Sequence, residues 1–214
     1  MKKTSLWRAK TACSFVIALT ATTSSFAALS PGDLQITEVM ANPKAVSDTL
    51  GEWFEIYNTT SNSLSLNGLL LKDDGSNSHT IGDVTIAANQ YFVMGRNNNP
   101  MENGGLAVDY VFSGFTLSNS TDQIQLIDDG VTIATLNYSG DFVVSGASRE
   151  LINGEFLLSD SSMSYGDGDW GTPGSHPDQL SEVPVPAAAW LFASGLLGLA
   201  GRHRLKKATM PDSP

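Results

Sequence analysis

The sequence predicts an all-β chain folded as an antiparallel sandwich or barrel, and three observations carry that prediction. Short runs rich in aromatic and β-branched residues recur throughout the central part of the chain, many of them alternating in polarity. Gly, Asn and Asp punctuate these runs at short intervals, as turns between strands require. No window of ten or more central residues carries the 3.6-residue apolar period of a packed helix.

Taken in order, Leu34-Gln-Ile-Thr-Glu-Val39 alternates and stops at the turn signal Asn42-Pro43. Trp53-Phe-Glu-Ile-Tyr57 is the most aromatic run and ends at Asn58. Leu69-Leu-Leu-Lys72 enters the turn Asp73-Asp-Gly-Ser-Asn77, and Tyr91-Phe-Val-Met94 closes at Gly95. Residues 108–112, 123–127 and 131–136 are expected strands. Asp128-Asp-Gly130 joins the last two as a hairpin, because Asp-Gly suits turns that need positive φ. Glu155-Phe-Leu-Leu158 is a further short strand, residues 166–177 close the domain, and residues 178–186 are a linker.

Both ends read as targeting sequence. Lys2, Lys3, Arg8 and Lys10 form a basic start, residues 12–21 a short apolar stretch, and Ser25-Phe26-Ala27 supplies small residues at the −3 and −1 positions. That is the pattern of a secretory signal peptide over residues 1–27, cleaved after Ala27. At the other end, Val183-Pro-Val-Pro186 precedes an uncharged apolar run, residues 187–201. The tail 202–214 opens with Arg202, Arg204, Lys206 and Lys207. A helix of fifteen residues is about 22 Å long, short of the roughly 30 Å hydrocarbon core of a bilayer. The basic cluster reads as a cytoplasmic stop. The expectation is one transmembrane helix that halts in a membrane and spans it poorly.

Removing both ends leaves one domain, residues 28–177, and removes Cys13, the lone cysteine. Between residues 28 and 183 stand four basic residues (Lys44, Lys72, Arg96, Arg149) against 21 acidic ones, a balance of −17. So acidic a surface repels nucleic acid phosphates, which excludes a nucleic acid partner.

The C-terminal tag resembles the PEP-CTERM class of bacterial sorting signals. In that class a proline-spaced motif, a membrane helix and an Arg-rich end are recognised by a membrane protease, an exosortase. Pro184 and Pro186 match the prolines, and Arg202 and Arg204 the basic end; Val185 stands where the name-giving motif has Glu. The resemblance implies an exosortase-like processing enzyme as one partner and the membrane, through the helix, as another.

The central domain is similar to the lamin tail domain family. Leu34-Gln-Ile-Thr-Glu-Val-Met-Ala-Asn-Pro43 and Gly51-Glu-Trp-Phe-Glu-Ile-Tyr-Asn58 match its opening. Residues 66–73, 86–93, 115–119 and 122–128 follow in family order, and Trp170-Gly-Thr-Pro-Gly174 ends the match. Ala87-Ala88-Asn89-Gln90 departs from the family, where Pro-Gly is usual. The resemblance implies an immunoglobulin-like β-sandwich.

Residues that could carry chemistry are few. Glu52 and Glu55 lie three apart, on opposite faces of a strand, which separates them as an acid/base pair. They read instead as partners for backbone or Asn groups at a sheet edge. His79, His176 and His203 have no Cys, His or acidic partner at metal-ligand spacing, so zinc is not expected. No nucleophile elbow or phosphate-cradling loop is present. The acidic turns at Asp73–Asn77, Asp128-Asp129 and residues 166–169 offer oxygen ligands for structural calcium, without the spacing of an EF-hand loop. No catalytic, cofactor or metal residue is assigned.

The expected function is a non-enzymatic module, exported and held at the membrane or released after processing. It would serve adhesion, matrix assembly or envelope interaction with an unknown protein or polysaccharide partner. Two alternatives stand beside it. One is an accessory to a secreted hydrolase or nuclease, which the near-complete use of the exported residues by one domain disfavours. The other is a calcium- or carbohydrate-binding module, for which Trp53, Tyr91 and Trp170 are the candidate aromatic platform, though all three are more easily read as core.

Overall fold

The computed structural model describes residues 28–176. Ala27, Pro184, Pro186, Arg202, Arg204 and the helix expected over residues 187–201 lie outside the described residues. Fourteen short strands make the domain: β1 (Leu34–Met40), β2 (Trp53–Asn58), β3 (Leu64–Ser65), β4 (Leu70–Lys72), β5 (Ser78–Thr80), β6 (Thr85–Ile86) and β7 (Tyr91–Gly95). They continue with β8 (Tyr110–Val111), β9 (Asp122–Asp128), β10 (Val131–Tyr138), β11 (Arg149–Ile152), β12 (Glu155–Leu158), β13 (Ser164–Tyr165) and β14 (Asp169–Trp170). The one α-helix among the described residues, α1 (Asp48–Gly51), is a single turn.

Two sheets form the sandwich. The first runs β12-β11-β1-β2-β7-β8 and the second β10-β9-β4-β5. Between them lie Ile36 and Val39 of β1, Phe54 and Ile56 of β2 and Phe92 and Met94 of β7, facing Leu71, Ile124, Leu126 and Ile133. Phe112 and Phe115, from the segment between β8 and β9, plug one end against Phe54 at ring distances of 5.7 and 6.4 Å.

The sheets differ in how their outer faces are treated, and the residue pattern shows why. In β9 buried positions alternate with half-buried ones, as in a strand wet on one side. In β1, β2 and β7 burial is nearly continuous. Their outer-face residues Met40, Trp53 and Val93 form a second apolar cluster with Leu106. The chain after β12 returns across this face: β13 and β14 pair, and Tyr165 and Trp53 meet edge to face at 5.7 Å. The loop before β8 meets the same segment, with the Asp167 amide donating to the Gly104 carbonyl at 2.9 Å. Gly166, at φ 48°, sits so close to Gly104 that any Cβ would strike the Gly104 carbonyl oxygen.

Most expected strands form within a residue or two of their expected ends. The hairpin at Asp129-Gly130 takes φ of 46° and 81°, the two positive values expected there. Asn89, at φ 53°, supplies a left-handed residue, so a turn forms at residues 87–90 without Pro-Gly. Three expectations need correction. Residues 108–112 shrink to the two-residue β8, which runs parallel to β7 because it arrives by a loop crossover rather than a hairpin. Trp170 is not core; it is 38% exposed. Strand β11, absent from the sequence reading, pairs with β1 and joins β12 through Asn153-Gly154, an Asn-Gly turn with φ of 53° and 87°.

Phe54 is fully buried at the centre of the inter-sheet core. Phe54→Ala is expected to destabilise folding by about 3–5 kcal/mol, the usual range for emptying such a site. Urea unfolding followed by tryptophan fluorescence measures it.

Candidate functional site: a row of buried carboxylates beneath the C-terminal strap

Three glutamates lie side by side on the outer face of the first sheet. Glu38 of β1 stands opposite Glu150 of β11 on one side and Glu55 of β2 on the other. A register shift in β1 between Ile36 and Glu38 places Thr37 and Glu38 on this face. All three glutamates are buried, at 0%, 2% and 1% exposure. The cover is the strap, residues 164–176.

The strap's backbone is irregular, so its amides need acceptors that no ladder provides. The carboxylates supply them. Thr172 N–H donates to Glu38 Oε1 at 2.9 Å, and Gly174 N–H to Glu55 Oε2 at 2.6 Å. Side-chain hydroxyls complete the set. Ser148 Oγ donates to Glu38 Oε1 at 2.5 Å, Thr37 Oγ1 to Glu55 Oε1 at 2.7 Å and Thr172 Oγ1 to Glu150 Oε1 at 2.6 Å. Gly171 is required here because a Cβ would meet Glu38 Oε1 at 2.6 Å and Ser148 Oγ at 2.8 Å.

Hydrogen counting calls for a proton within the row. Thr172 Oγ1 lies 2.6 Å from Glu150 Oε1 and 3.3 Å from Glu38 Oε2, and its one hydrogen can serve only one of them. The other contact is satisfied when that carboxyl is the neutral acid and donates to Thr172 Oγ1. The electrostatics agree. Burial pushes Glu38 up to about 8, against the hydrogen bonds from Ser148 and Thr172 and with repulsion from Glu150 and Glu55. Burial likewise pushes Glu55 up to about 7, opposed by its bonds from Thr37 and Gly174. Glu52, on the opposite face of β2, has a cation: Arg96 donates at 3.1 Å to the same Oε2 that accepts the Leu117 amide. Its ionisation is still shifted upward by burial.

The sequence separated Glu52 from Glu55 correctly, and both bind backbone amides as expected. They lie on or beside the central strand β2, however, not at a sheet edge. Glu38 and Glu150 stand in no recognisable motif of the sequence. The signal available was an acidic residue inside each of two apolar runs, Ile36-Thr-Glu-Val39 and Arg149-Glu-Leu-Ile152. His79 is structural: Ser113 N–H donates to its Nδ1 at 3.3 Å, leaving Nε2–H to donate to the Tyr110 hydroxyl at 2.9 Å. His176 Nε2 donates to the Leu151 carbonyl at 3.2 Å.

In each turn that offers oxygen ligands for calcium, one carboxylate is engaged with backbone amides. Asp73 accepts from Gly75 and Asn77, Asp128 from Leu29, and Asp169 from Lys44 and Ala45. Among the described residues no group of three His, Cys, Asp or Glu is placed to hold a metal ion. A cleft of about 400 Å³ opens elsewhere, between β1, β10 and the β11–β12 hairpin. It is lined by Leu34, Ile36, Leu136, Leu151 and Phe156 with no titratable group. Chemically, the glutamate row is a hydrogen-bonded clasp on the strap.

The opening strands, the glutamate-bearing β2 and the order of the turns are those of one known family, whose model, Lamin Tail Domain, matches residues 27–140. The chain belongs to the lamin tail domain family. The match ends before β11, so the strap and Glu150 lie beyond the matched residues. No curated protein matches the chain. Among the described residues of this lamin tail protein, no helix is long and apolar enough to cross a membrane.

Thr172→Val keeps the side-chain shape and removes the hydroxyl that joins Glu38 to Glu150. A loss of about 1–3 kcal/mol is expected, the scale for stranding a buried polar partner. Chemical denaturation at pH 6 checks it.

Proposed function

We propose that this lamin tail domain is the cargo of an exported, non-enzymatic surface protein. A signal peptide ending at Ala27 sends it across the inner membrane. The segment 187–201, stopped by Arg202 and Arg204, then holds it there facing the periplasm. The Pro184/Pro186 tag marks it for an exosortase-like enzyme that passes it to the cell surface or exterior. Its role is adhesion, matrix assembly or envelope interaction with a protein or polysaccharide. The supporting observation is the order of parts along the chain: a basic-apolar-small leader, a lamin tail domain, then a proline-spaced, apolar and basic tail. The domain's composition suits this reading, since its acidic side chains are largely engaged in holding loops.

Cell fractionation tests the anchor. The full chain is expected in the membrane fraction, and a chain truncated after Pro186 is expected to be released. Retention of the truncated chain would remove the anchor from the proposal.

A further inference from the structure

The glutamate row does more than fill space. Three carboxylates share a dry face, and the groups around them supply little positive charge. Glu38 faces Glu150 of β11 and Glu55 of β2, Glu55 also faces Asp109 of the loop before β8, and Tyr165 of β13 faces both Glu38 and Asp169 of β14. Asp109 is held by the Val93 amide at 2.8 Å, and Asp169 by the amides of Lys44 and Ala45. His176 ends the strap against the Leu151 carbonyl. Arg96 is engaged with Glu52 on the other face of β2, and Arg149 donates to the carbonyls of Asp141 and Phe142.

The strap is also the part of the domain best placed to leave. It consists of two two-residue strands and irregular chain, and it adds no strand to either main sheet. Its hold on the row is four bonds to the carboxyl groups through Thr172 and Gly174. Its other anchors include Trp53 Nε1–H to the Tyr165 hydroxyl at 2.8 Å, Asp167 N–H to the Gly104 carbonyl at 2.9 Å, the Ser148 and Trp170 amides exchanged with the Trp170 and Gly146 carbonyls at 2.9 Å each, Asp169 to the Lys44 loop and His176 to the Leu151 carbonyl.

We propose that residues 164–176 are a proton-held latch: closed over Glu38, Glu55 and Glu150 while the row keeps its protons, and released from the sandwich as the row ionises. Opening wets the carboxylates and lets their charge be hydrated, which the closed state forbids. It also turns thirteen ordered residues into tether, adding up to about 40 Å of reach between the sandwich and whatever follows residue 176.

The sign follows from linkage. Closed, Glu38 and Glu55 hold protons to about pH 8 and 7; open, they titrate as ordinary glutamates near 4.5. The closed state therefore binds more protons, so closure is favoured at acid pH and weakens as pH rises from about 4.5 towards 8. Each proton released on opening raises the opening constant about tenfold per pH unit.

Hydrogen exchange of the full chain tests the latch. Protection factors, corrected for intrinsic exchange, are followed from pH 5 to 8 at the amides of Thr172, Gly174 and Ser148, with Ile56 and Phe92 reporting the sandwich. Protection in the strap is expected to fall by at least tenfold per unit while that at Ile56 and Phe92 changes far less. Strap protection that stays flat overturns the latch. So does a fall in step at Ile56 and Phe92, because the whole domain is then opening. The Glu38→Gln, Glu55→Gln double variant is expected to flatten the strap's pH dependence, and an unchanged slope in it assigns the effect to other groups. If the variant does not fold, the wild-type profile alone decides.

Discussion

The fold depends on one constraint: the central strands of the first sheet carry large apolar residues on both faces. Phe54 and Ile56 face the second sheet, while Met40, Trp53 and Val93 face away from it. A two-layer sandwich covers only the first set. The second set needs a third layer, and the chain makes it from irregular segments, the strap and the loop before β8. Irregular cover brings unpaired amides onto a dry surface, and each needs an acceptor. Glutamates in the β1, β2 and β11 row are long enough to reach up and provide it. The buried carboxylates are thus a consequence of covering a sheet with loop instead of helix.

The same logic changes the meaning of the acidic composition. A balance of −17 over residues 28–183 suggests a charged surface that repels anions. Yet ten acidic side chains, among them Asp33, Asp73, Asp109, Asp122, Asp128 and Asp160, accept backbone amides that turns and loops leave over. In a loop-rich domain with fourteen short strands, Asp and Glu act as a supply of acceptors. Part of the charge excess therefore serves the fold, and at the glutamate row a proton removes part of it altogether.

This division explains what the sequence disclosed. Strands such as β9 and β10 were legible because alternation and an Asp-Gly turn are local signals. The all-β class and the lamin tail resemblance were legible for the same reason. Strand β11 was not, since Arg149-Glu-Leu-Ile152 has a weak pattern and earns its place only by pairing with β1, over a hundred residues earlier. Glu38 and Glu150 were hidden for a related reason. A polar residue in an alternating strand ordinarily marks the wet face, and only the return of the chain's last segment makes that face dry. Trp170 misled in the opposite sense: a large aromatic near the end of the domain suggests core, but it belongs to the cover and keeps one side in solvent.

Why the cover uses carboxylic acids rather than amides is the remaining question, and the geometry offers an answer. Gln at position 38 could accept from Thr172 N–H and donate to Thr172 Oγ1 as the protonated acid does, with no dependence on pH. The acid does both only while it holds a proton, so it ties the strap's bond network to the state of the surroundings. Thr172 is the junction, because its single hydroxyl hydrogen can serve only one of Glu38 and Glu150, and the other contact needs a carboxyl proton. With both carboxyls ionised, one of the two contacts, at 2.6 and 3.3 Å, is left with no hydrogen in it. A neutral amide would make a permanent clasp; a row of shared protons makes a conditional one, on the segment that joins the sandwich to the rest of the chain.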